Sequence, residues 1–406
     1  MKQNEYSLSK IFLKMNQMLW KKSFLQGLRK LFYYLDAFLL IGTGKSKASY
    51  PVEGKKTLLI VYNMALGDGI MFRGVDKHLR DIYPKDQWHI TIACQSAFKS
   101  LYEKSGIYDC VIPMDFSGSV VNLKKRRDLF KQLRKNKYHS LYDPIGAELC
   151  TTNVYVSRAA LAEEKIGVLD TKLPHYETSP RMRRKVYSQI VETDVEKMHL
   201  IAFYAECLKK LGAKNCVAQP ARLERIDLPI EVPEKFFIVF PTASMGVKRW
   251  PAERFARVAE LIYQKTKMPL LVCGTKHDEP TIYEMLQYLS DVPVINAIGE
   301  TNIMQFVELI GRAELIVTND TSAYHIGVAQ GVNTYMICGG YTFHRYANYQ
   351  YASVGRKNPV LVHVDMPCFD CNNHCIYNNK EIFPCIDQIT VDMVWEKIQR
   401  TYDCEE

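Results

Sequence analysis

The chain has 406 residues and contains no run of ~18 consecutive apolar residues, the length that would suggest a membrane-crossing helix. Short-period repeats and low-complexity segments are also missing, which argues against a repeat or fibrous architecture. No DxD-type acidic pair stands out as a Mg²⁺ site. There is no convincing signal peptide. The 12 cysteines, scattered apart from one C-terminal cluster, are therefore expected to be mostly reduced intracellular thiols. Beyond residue 50 an excess of one charge is missing too. Residues 1–50 hold nine Lys/Arg and two acids and contribute +7 of the net +9. The basic balance belongs to a tail and a few patches, and no nucleic-acid partner is expected.

What remains is the composition of a globular protein, long enough for two ordinary domains plus an extension. Residues 10–41 carry Ile11, Met15, Met18, Leu25, Leu28, Phe32, Leu35 and Leu39 at roughly a helical period. Lys14, Lys21, Lys22, Arg29 and Lys30 fill much of the rest, with Trp20, Tyr33 and Tyr34 among them. A basic, aromatic-rich amphipathic helix suits an anionic membrane surface. The alternative is a helix docked on the protein's own core. Gly42–Gly54 reads as a linker. Two further basic runs, Lys124–Lys137 and Arg181–Lys185, are ordinarily solvated faces. With the tail they can form a cationic side for an acidic acceptor or a membrane.

The body reads as two series of alternating strands and helices. In the first, strand Lys56–Asn63 leads through the turn Met64–Gly69 to a helix Ile70–Tyr83, stopped by Pro84. Strand Trp88–Cys94, helix Ala97–Ser105 and strand Cys110–Pro113 follow, and a helix Lys197–Leu211 comes later. Two prolines in Asp227–Glu234 mark an interdomain linker. The second series has strands Phe236–Phe240, Pro269–Cys273, Pro293–Asn296, Leu315–Thr318 and Thr334–Cys338. Its helices are Pro251–Lys265, Thr281–Leu289, Ile303–Gly311 and Ala323–Gln330. Such alternation predicts parallel sheets covered by helices.

The segment Val317–His325 (VTNDTSAYH) is a strand ending in a polar turn at a helix start. Ligands of α/β proteins sit beyond the carboxyl ends of strands. Backbone N–H groups and the positive helix end there favour a phosphate. Equally, Asp320, Thr321 and Ser322 can simply cap the helix. Asp68, after Gly67 in the first βα turn, is a candidate general base or a helix N-cap. Thr242, Ser244 and Lys248 lie in the loop before Pro251, where two hydroxyls and a point charge can meet a diphosphate. Arg249 and Trp250 read as surface charge and packing.

Four segments together resemble glycosyltransferase family 9, the bacterial heptosyltransferases of lipopolysaccharide core synthesis and their relatives. They are Leu59–Leu79 with its L-G-D turn, Phe240–Leu261 with K-R-W-P, Leu271–Glu279, and Gly299–Gly340 with N-D-T-S-A-Y-H. The resemblance covers roughly residues 56–400. It implies an α/β, GT-B fold: two Rossmann-like domains facing a cleft, with the amphipathic extension in front. The implied division is 1–54 extension and linker, 55–226 acceptor domain, and 227–406 nucleotide-sugar domain with the cysteine cluster.

By the same resemblance Asp68 is the catalytic base, and Ser244 and Lys248 contact the donor phosphates. Thr321 and Ser322 hold the β-phosphate, and Asp320 accepts hydrogen bonds from donor hydroxyls. Gly274 with Asp278 and Glu279 matches a ribose-binding position, and Gly299–Thr301 lines the base pocket, with Thr301 counted among the donor contacts. His325 leans to a site role over a purely structural one. The loop has Ala243 where a second hydroxyl often stands, and Ser322 where many relatives have Gly.

The expected activity is inverting, metal-independent transfer with no cofactor. The sugar is heptose from ADP-heptose, and the acceptor is a membrane-linked glycolipid or oligosaccharide of bacterial cell-surface polysaccharide synthesis. The expected location is the cytoplasm, peripheral on the inner face of the cytoplasmic membrane. The rivals are an epimerase-like nucleotide-sugar enzyme of the same fold and a catalytically silent binding protein. Cys368, Cys371, Cys375 and Cys385 form C-x2-C-x3-C-x9-C. They can bind Zn²⁺ tetrahedrally or form a redox-labile group, or they are buried free thiols. Asp365, Asp370 and His374 beside them make no convincing hard-metal site.

Overall fold

The computed structural model describes residues 35–41, 48–119, 122–145, 151–171, 180–194, 198–349, 358–373, 375–377 and 381–403. Most of the predicted N-terminal amphipathic helix, His374, and part of the predicted linker Gly42–Gly54 lie outside the described residues. The chain forms two compact units. The first comprises residues 1–63, 85–96 and 109–194, and the second residues 64–84, 97–108 and 195–406. Each carries a six-stranded sheet whose neighbouring strands are all parallel. The expected α/β class with two Rossmann-like sheets is what the structure has.

In the first unit the strands are β1 Lys56–Tyr62, β2 Trp88–Gln95, β3 Cys110–Met114, β4 Lys137–Asp143, β5 Leu161–Asp170 and β6 Gln189–Thr193, in the order β3-β2-β1-β4-β5-β6. After Lys56, β1 is buried throughout, as a central strand covered on both faces must be. Three strands, β4 to β6, escape the sequence reading. β4 follows the basic helix at once and mixes Lys, His and Ser with its aromatics. β5 opens on L-A-E-E-K, which is polar at its exposed start.

The basic run forms a helix Leu123–Leu133, shorter than expected because β4 begins at Lys137. Its Lys124, Lys125, Arg127 and Lys131 are exposed. Arg126 is instead buried, bidentate to Asp36 at 2.5 and 2.7 Å, with its guanidinium 3.5 Å from the Tyr155 ring centre. Leu39 and Leu40 pack beside it on the core of this unit. The last turn before the linker is thus docked on the protein, while Phe38 and Ile41 remain exposed at 72% and 67%.

The second unit carries β7 Phe237–Phe240, β8 Leu270–Gly274, β9 Val294–Ile298, β10 Leu315–Asn319, β11 Asn333–Ile337 and β12 Val360–Val362. Their order is β12-β11-β10-β7-β8-β9. The three central strands β7, β10 and β11 are buried at every residue. Helices Ala252–Thr266, Glu279–Leu286, Ile303–Arg312 and Ser322–Gln330 connect them, close to the predicted bounds. Strand order reverses between β7 and β10, since the chain builds outward through β8 and β9 and then returns to the other side of β7. A doubly wound sheet binds ligands at such a switch point.

Helix Ser322–Gln330 is buried from Ala323 to Ala329 and closes on Gly331, whose φ of 75° no β-carbon residue adopts cheaply. Gly327 lets it lie on β11, because a Cβ there would stand 2.5 Å from Thr334 Oγ1. A terminal helix Val391–Asp403 follows the cysteine-bearing segment.

The chain between β1 and β2 also belongs to the second unit by its contacts. Helix Leu66–Phe72 begins four residues earlier than its pattern suggests and breaks before the 3₁₀ turn Asp76–His78. Arg73 ends it, donating to both oxygens of Asp76 (3.0 and 2.8 Å) and to Glu224 (2.7 Å), with Tyr108 donating to Asp76 at 2.9 Å. A buried carboxylate without these partners would be costly. Among the described residues no helix is long and apolar enough to cross a membrane.

Candidate active site

The switch point is stitched together by Asn319, the last residue of β10. Its buried Nδ2 donates to Pro241 O (2.8 Å) and Thr242 O (3.3 Å), and its Oδ1 accepts from Trp250 N at 3.2 Å. Both ends of the loop after β7 are thereby fixed to the end of β10. Trp250 is buried, donates from Nε1 to Ile389 O at 2.8 Å and stands edge-on to Phe255; it packs, as its sequence context suggested. Between the two anchors Ser244, Met245 and Gly246 are exposed.

The 3₁₀ turn Gly246–Lys248 brings Lys248 back into the sheet edge. Its Nζ lies 3.5 Å from Asp320 Oδ2 and 4.1 Å from the centre of the Tyr341 ring. Burial and the neighbouring Asp320 push the Tyr341 hydroxyl well above its usual pKa, so it stays protonated beside that carboxylate. A lysine held between an aromatic face and one carboxylate places its ammonium beside the loop, where an anion can meet it.

Thr321 is the N-cap of helix Ser322–Gln330: its Oγ1 accepts from Ala323 N at 3.2 Å and shares a hydrogen bond with Thr318 Oγ1 at 3.2 Å. The capping alternative raised for this turn is therefore realised for Thr321. Capping leaves the other first-turn N–H groups and the helix dipole aimed past Ser322, where an anion is favoured. His325 is buried one turn in. Its Nδ1 shares a 2.9 Å hydrogen bond with Tyr349 Oη. Burial lowers its pKa to about 4 against the opposing pull of Asp320, so the ring is neutral near pH 7. His199 lies with its ring tilted against the same tyrosine, 4.6 Å between ring centres, and is lowered further, to about 3, by burial and then by His325.

Asp68 reaches this cluster. It is in the first turn of helix Leu66–Phe72, but Ala65 occupies the N-cap, so the simple N-cap reading of Asp68 does not hold. The helix approaches helix Ser322–Gln330 closely: a Cβ on Gly67 would stand 2.7 Å from His325 Cδ2 and 3.6 Å from Ser322 Cα. Burial, and secondarily the charge of Asp320, raise the Asp68 carboxyl to about 7. The backbone N–H groups of Ala65 and Asp68, and the charge of Arg345, act against that rise. The N–H contacts are the reach-back of an acid in a first helical turn. Capping does not require an opposing acid and a buried arginine; a group poised to exchange a proton near neutrality does use them.

Further along the sheet edge the predicted residues are less tightly drawn in. Gly274, with φ 142°, ends β8, and its carbonyl accepts from Gly299 N at 2.8 Å, so the loops after β8 and β9 touch. Asp278 turns back into its own loop, where Oδ2 accepts from Thr275 N (2.8 Å) and Thr275 Oγ1 (2.7 Å). Thr301 is half-buried just before the capping box of Asn302 and Gln305. The strand ends carrying Asp320, Lys248, Gly274 and Thr301 thus follow one another in the sheet order β10-β7-β8-β9. Three strand spacings make a row of roughly 14 Å.

Sequence reasoning missed Asn319, Tyr341, Arg345 and His199. Asn319 stood inside the motif and reads as a strand end. Arg345 lies in the irregular F-H-R-Y stretch after β11. It donates to Met198 O at 3.2 Å, with its guanidinium 4.6 Å from the Phe203 ring. No local pattern marks it.

The profile of "Glycosyltransferase family 9 (heptosyltransferase)" matches residues 126–354, more than half of the chain. The lipopolysaccharide core heptosyltransferase OpsX of Haemophilus influenzae is 21% identical over 294 residues, covering 72% of this chain and 80% of that protein. The crystal structure of the glycosyl transferase family 9 protein of Veillonella parvula superposes with a TM-score of 0.68 at 19% identity, over 87% of this chain and 99% of that one. An Escherichia coli heptosyltransferase, WaaC, solved with ADP-2-deoxy-2-fluoro heptose, gives 0.62 at 14% identity, over 85% and 99%. The protein, with its two parallel sheets and its N-D-T-S turn at the switch point of the second, is a glycosyltransferase and belongs to glycosyltransferase family 9.

Proposed function

We propose that the protein transfers a heptose from ADP-heptose to a hydroxyl of a membrane-linked lipopolysaccharide-type acceptor, with inversion and with Asp68 as the base. The observation that carries this reading is the Asp68 carboxyl, raised to about 7 between Asp320 and Arg345, on a helix packed against the phosphate-type turn at Thr321–Ser322. The donor names of the relatives support the sugar and the nucleotide.

In this reading Asp68 accepts the acceptor hydroxyl proton as that oxygen bonds to the anomeric carbon. The bond from that carbon to the diphosphate oxygen breaks on the opposite face, and the nucleoside diphosphate leaves with the electron pair. A sugar hydroxyl is a very weak acid, so the proton moves late and positioning matters as much as pKa. Lys248 and the helix start at Thr321–Ser322 stabilise the departing charge. Asp320, already paired with Lys248, accepts from donor hydroxyls. Ser244 joins Lys248 at the donor phosphates, and Thr242, Gly274, Asp278 and Thr301 serve the rest of the donor along the sheet edge.

The decisive experiment is Asp68→Asn assayed with ADP-heptose and an acceptor oligosaccharide. Transfer should fall by at least ~10²-fold, with ADP binding held within a few-fold of wild type. Retained turnover removes the base assignment; turnover lost together with ADP binding removes the separation of roles. We assign the tail to the membrane surface on its charge and on the exposed Phe38 and Ile41 at its end. Deleting residues 1–34 should release the protein from anionic vesicles, and unchanged sedimentation would sink that part.

A further inference from the structure

Tyr341 lies in the 3₁₀ turn Gly340–Thr342 that follows β11, and it is 2% exposed. Its ring is fixed from several sides. A Cβ on Gly339 would overlap the ring's Cε1 and stand 2.6 Å from its Cδ1. Phe383 is tilted against it with 5.6 Å between ring centres, and the Tyr341 carbonyl accepts from Asn372 N at 2.7 Å. On this held ring sits Lys248 Nζ, 4.1 Å from the centre. The same ammonium is 3.5 Å from Asp320 Oδ2.

The hydroxyl at the end of that ring is sealed from solvent. Among the described residues it makes no hydrogen bond of ordinary geometry. Buried polar groups are nearly always paired, so one left over calls for a reason. Burial first, and then the charge of Asp320, keep the hydroxyl protonated, so it has a proton to donate. Asp320 stands beside it as a loose acceptor, and that carboxylate is already engaged by the Lys248 ammonium.

An incoming diphosphate changes this balance. Its negative oxygens draw the ammonium away from Asp320. The Asp320 side chain is only 13% exposed, and a carboxylate so placed is costly to leave without a partner. A protonated phenol beside it can supply a charge-assisted hydrogen bond in place of the lost ion pair. The ring face still attracts the ammonium as it turns, so the lysine pivots on its seat.

We infer that Tyr341 is a positioning residue for the donor diphosphate: its ring seats the Lys248 ammonium, and its hydroxyl takes over Asp320 when that ammonium turns to the diphosphate. The inference rests on the donor-site reading above and adds to it a residue that acts through Lys248 and Asp320.

The test is titration calorimetry of the full chain with ADP, together with melting temperatures measured without ADP. Tyr341→Phe keeps the ring and removes the hydroxyl. ADP affinity should fall at least ~5-fold, while the melting temperature without ADP stays level or rises, because a buried unpaired hydroxyl has gone. A hydroxyl with only a structural role would give the reverse, a lower melting temperature with unchanged ADP affinity, and that result overturns the inference. Tyr341→Leu removes the seat as well and should weaken ADP beyond the Phe variant; equal affinities overturn the seating, and if the Leu variant fails to fold the Phe variant decides. In a Lys248→Met background no ammonium leaves Asp320, so adding Tyr341→Phe should change ADP affinity by less than ~2-fold; fully additive losses overturn the exchange. A wild-type chain that does not bind ADP overturns the donor-site reading and this inference with it. Binding weakened by Lys248→Met but not by Tyr341→Phe overturns this inference alone.

Discussion

Gly67→Ala tests the close approach on which the Asp68 assignment depends. In a helix interior Ala is ordinarily favoured over Gly by ~0.5–1 kcal/mol. Here the new methyl would stand 2.7 Å from His325 Cδ2 and 3.4 Å from its Nε2, roughly 1 Å inside ordinary carbon–carbon contact. His325 is 5% exposed, and its Nδ1 is tied to Tyr349 Oη at 2.9 Å, so it cannot swing aside freely. Overpacking of this kind costs ~1–3 kcal/mol, which outweighs the propensity gain. We expect a net loss of roughly 0.5–2 kcal/mol in urea denaturation.

The functional loss should be larger. The helix must move off Ser322, and a shift of ~1 Å at the reacting group can cost ~10²-fold in kcat. Adding His325→Ala restores the space, so a double-mutant cycle should return a coupling of ~0.5–3 kcal/mol. A Gly67→Ala protein that is more stable than wild type, with unchanged kcat, would refute the packing of the two helices and with it the placement of Asp68.

The pH dependence follows from the same carboxyl. Its raised pKa means that kcat/KM should climb about tenfold per pH unit below about 7 and then level off; a flat profile from pH 5.5 to 8 would be contrary. Stability runs the other way. A carboxyl raised on folding favours the folded state below its unfolded value, ~3.9, and that contribution is lost as pH rises through the folded value, about 7. Asp68→Asn should therefore melt higher than wild type at pH 8, with the gain shrinking as the pH falls through 7 toward 4. Asn319→Ala leaves Trp250 N and two carbonyls without their buried partner and should cost ~2–4 kcal/mol in denaturation, with weaker ADP binding as its loop loosens; a loss under 0.5 kcal/mol would contradict the anchoring role. Lys248→Met keeps the stem on Tyr341 but removes the charge, so titration calorimetry should show ADP affinity down at least ~10-fold with little change in melting temperature. Unchanged affinity would remove Lys248 from the phosphate site.

The sequence alone determined five of the six strands of the second sheet; the three-residue edge strand β12 was not read from it. Its strands are short apolar runs between clear turn signals, and β7 to β11 lie within a residue or two of their expected positions; for β7, β8, β10 and β11 that is because strands buried on both faces must be apolar throughout. The family resemblance, added to the polar turns before two helices, grouped Lys248, Asp320, Thr321 and His325 as a candidate donor site. The first sheet was half legible. β4 to β6 carry polar and charged residues that alternation rules do not separate from loop, and the pairing that makes them strands is non-local.

Tertiary structure alone decided which groups face Asp68. The sequence separates it from Asp320 by some 250 positions and gives no sign of Arg345, Tyr341 or Asn319. The raised pKa of Asp68 is made by its surroundings, and its burial, one opposing acid and one buried guanidinium come from distant segments.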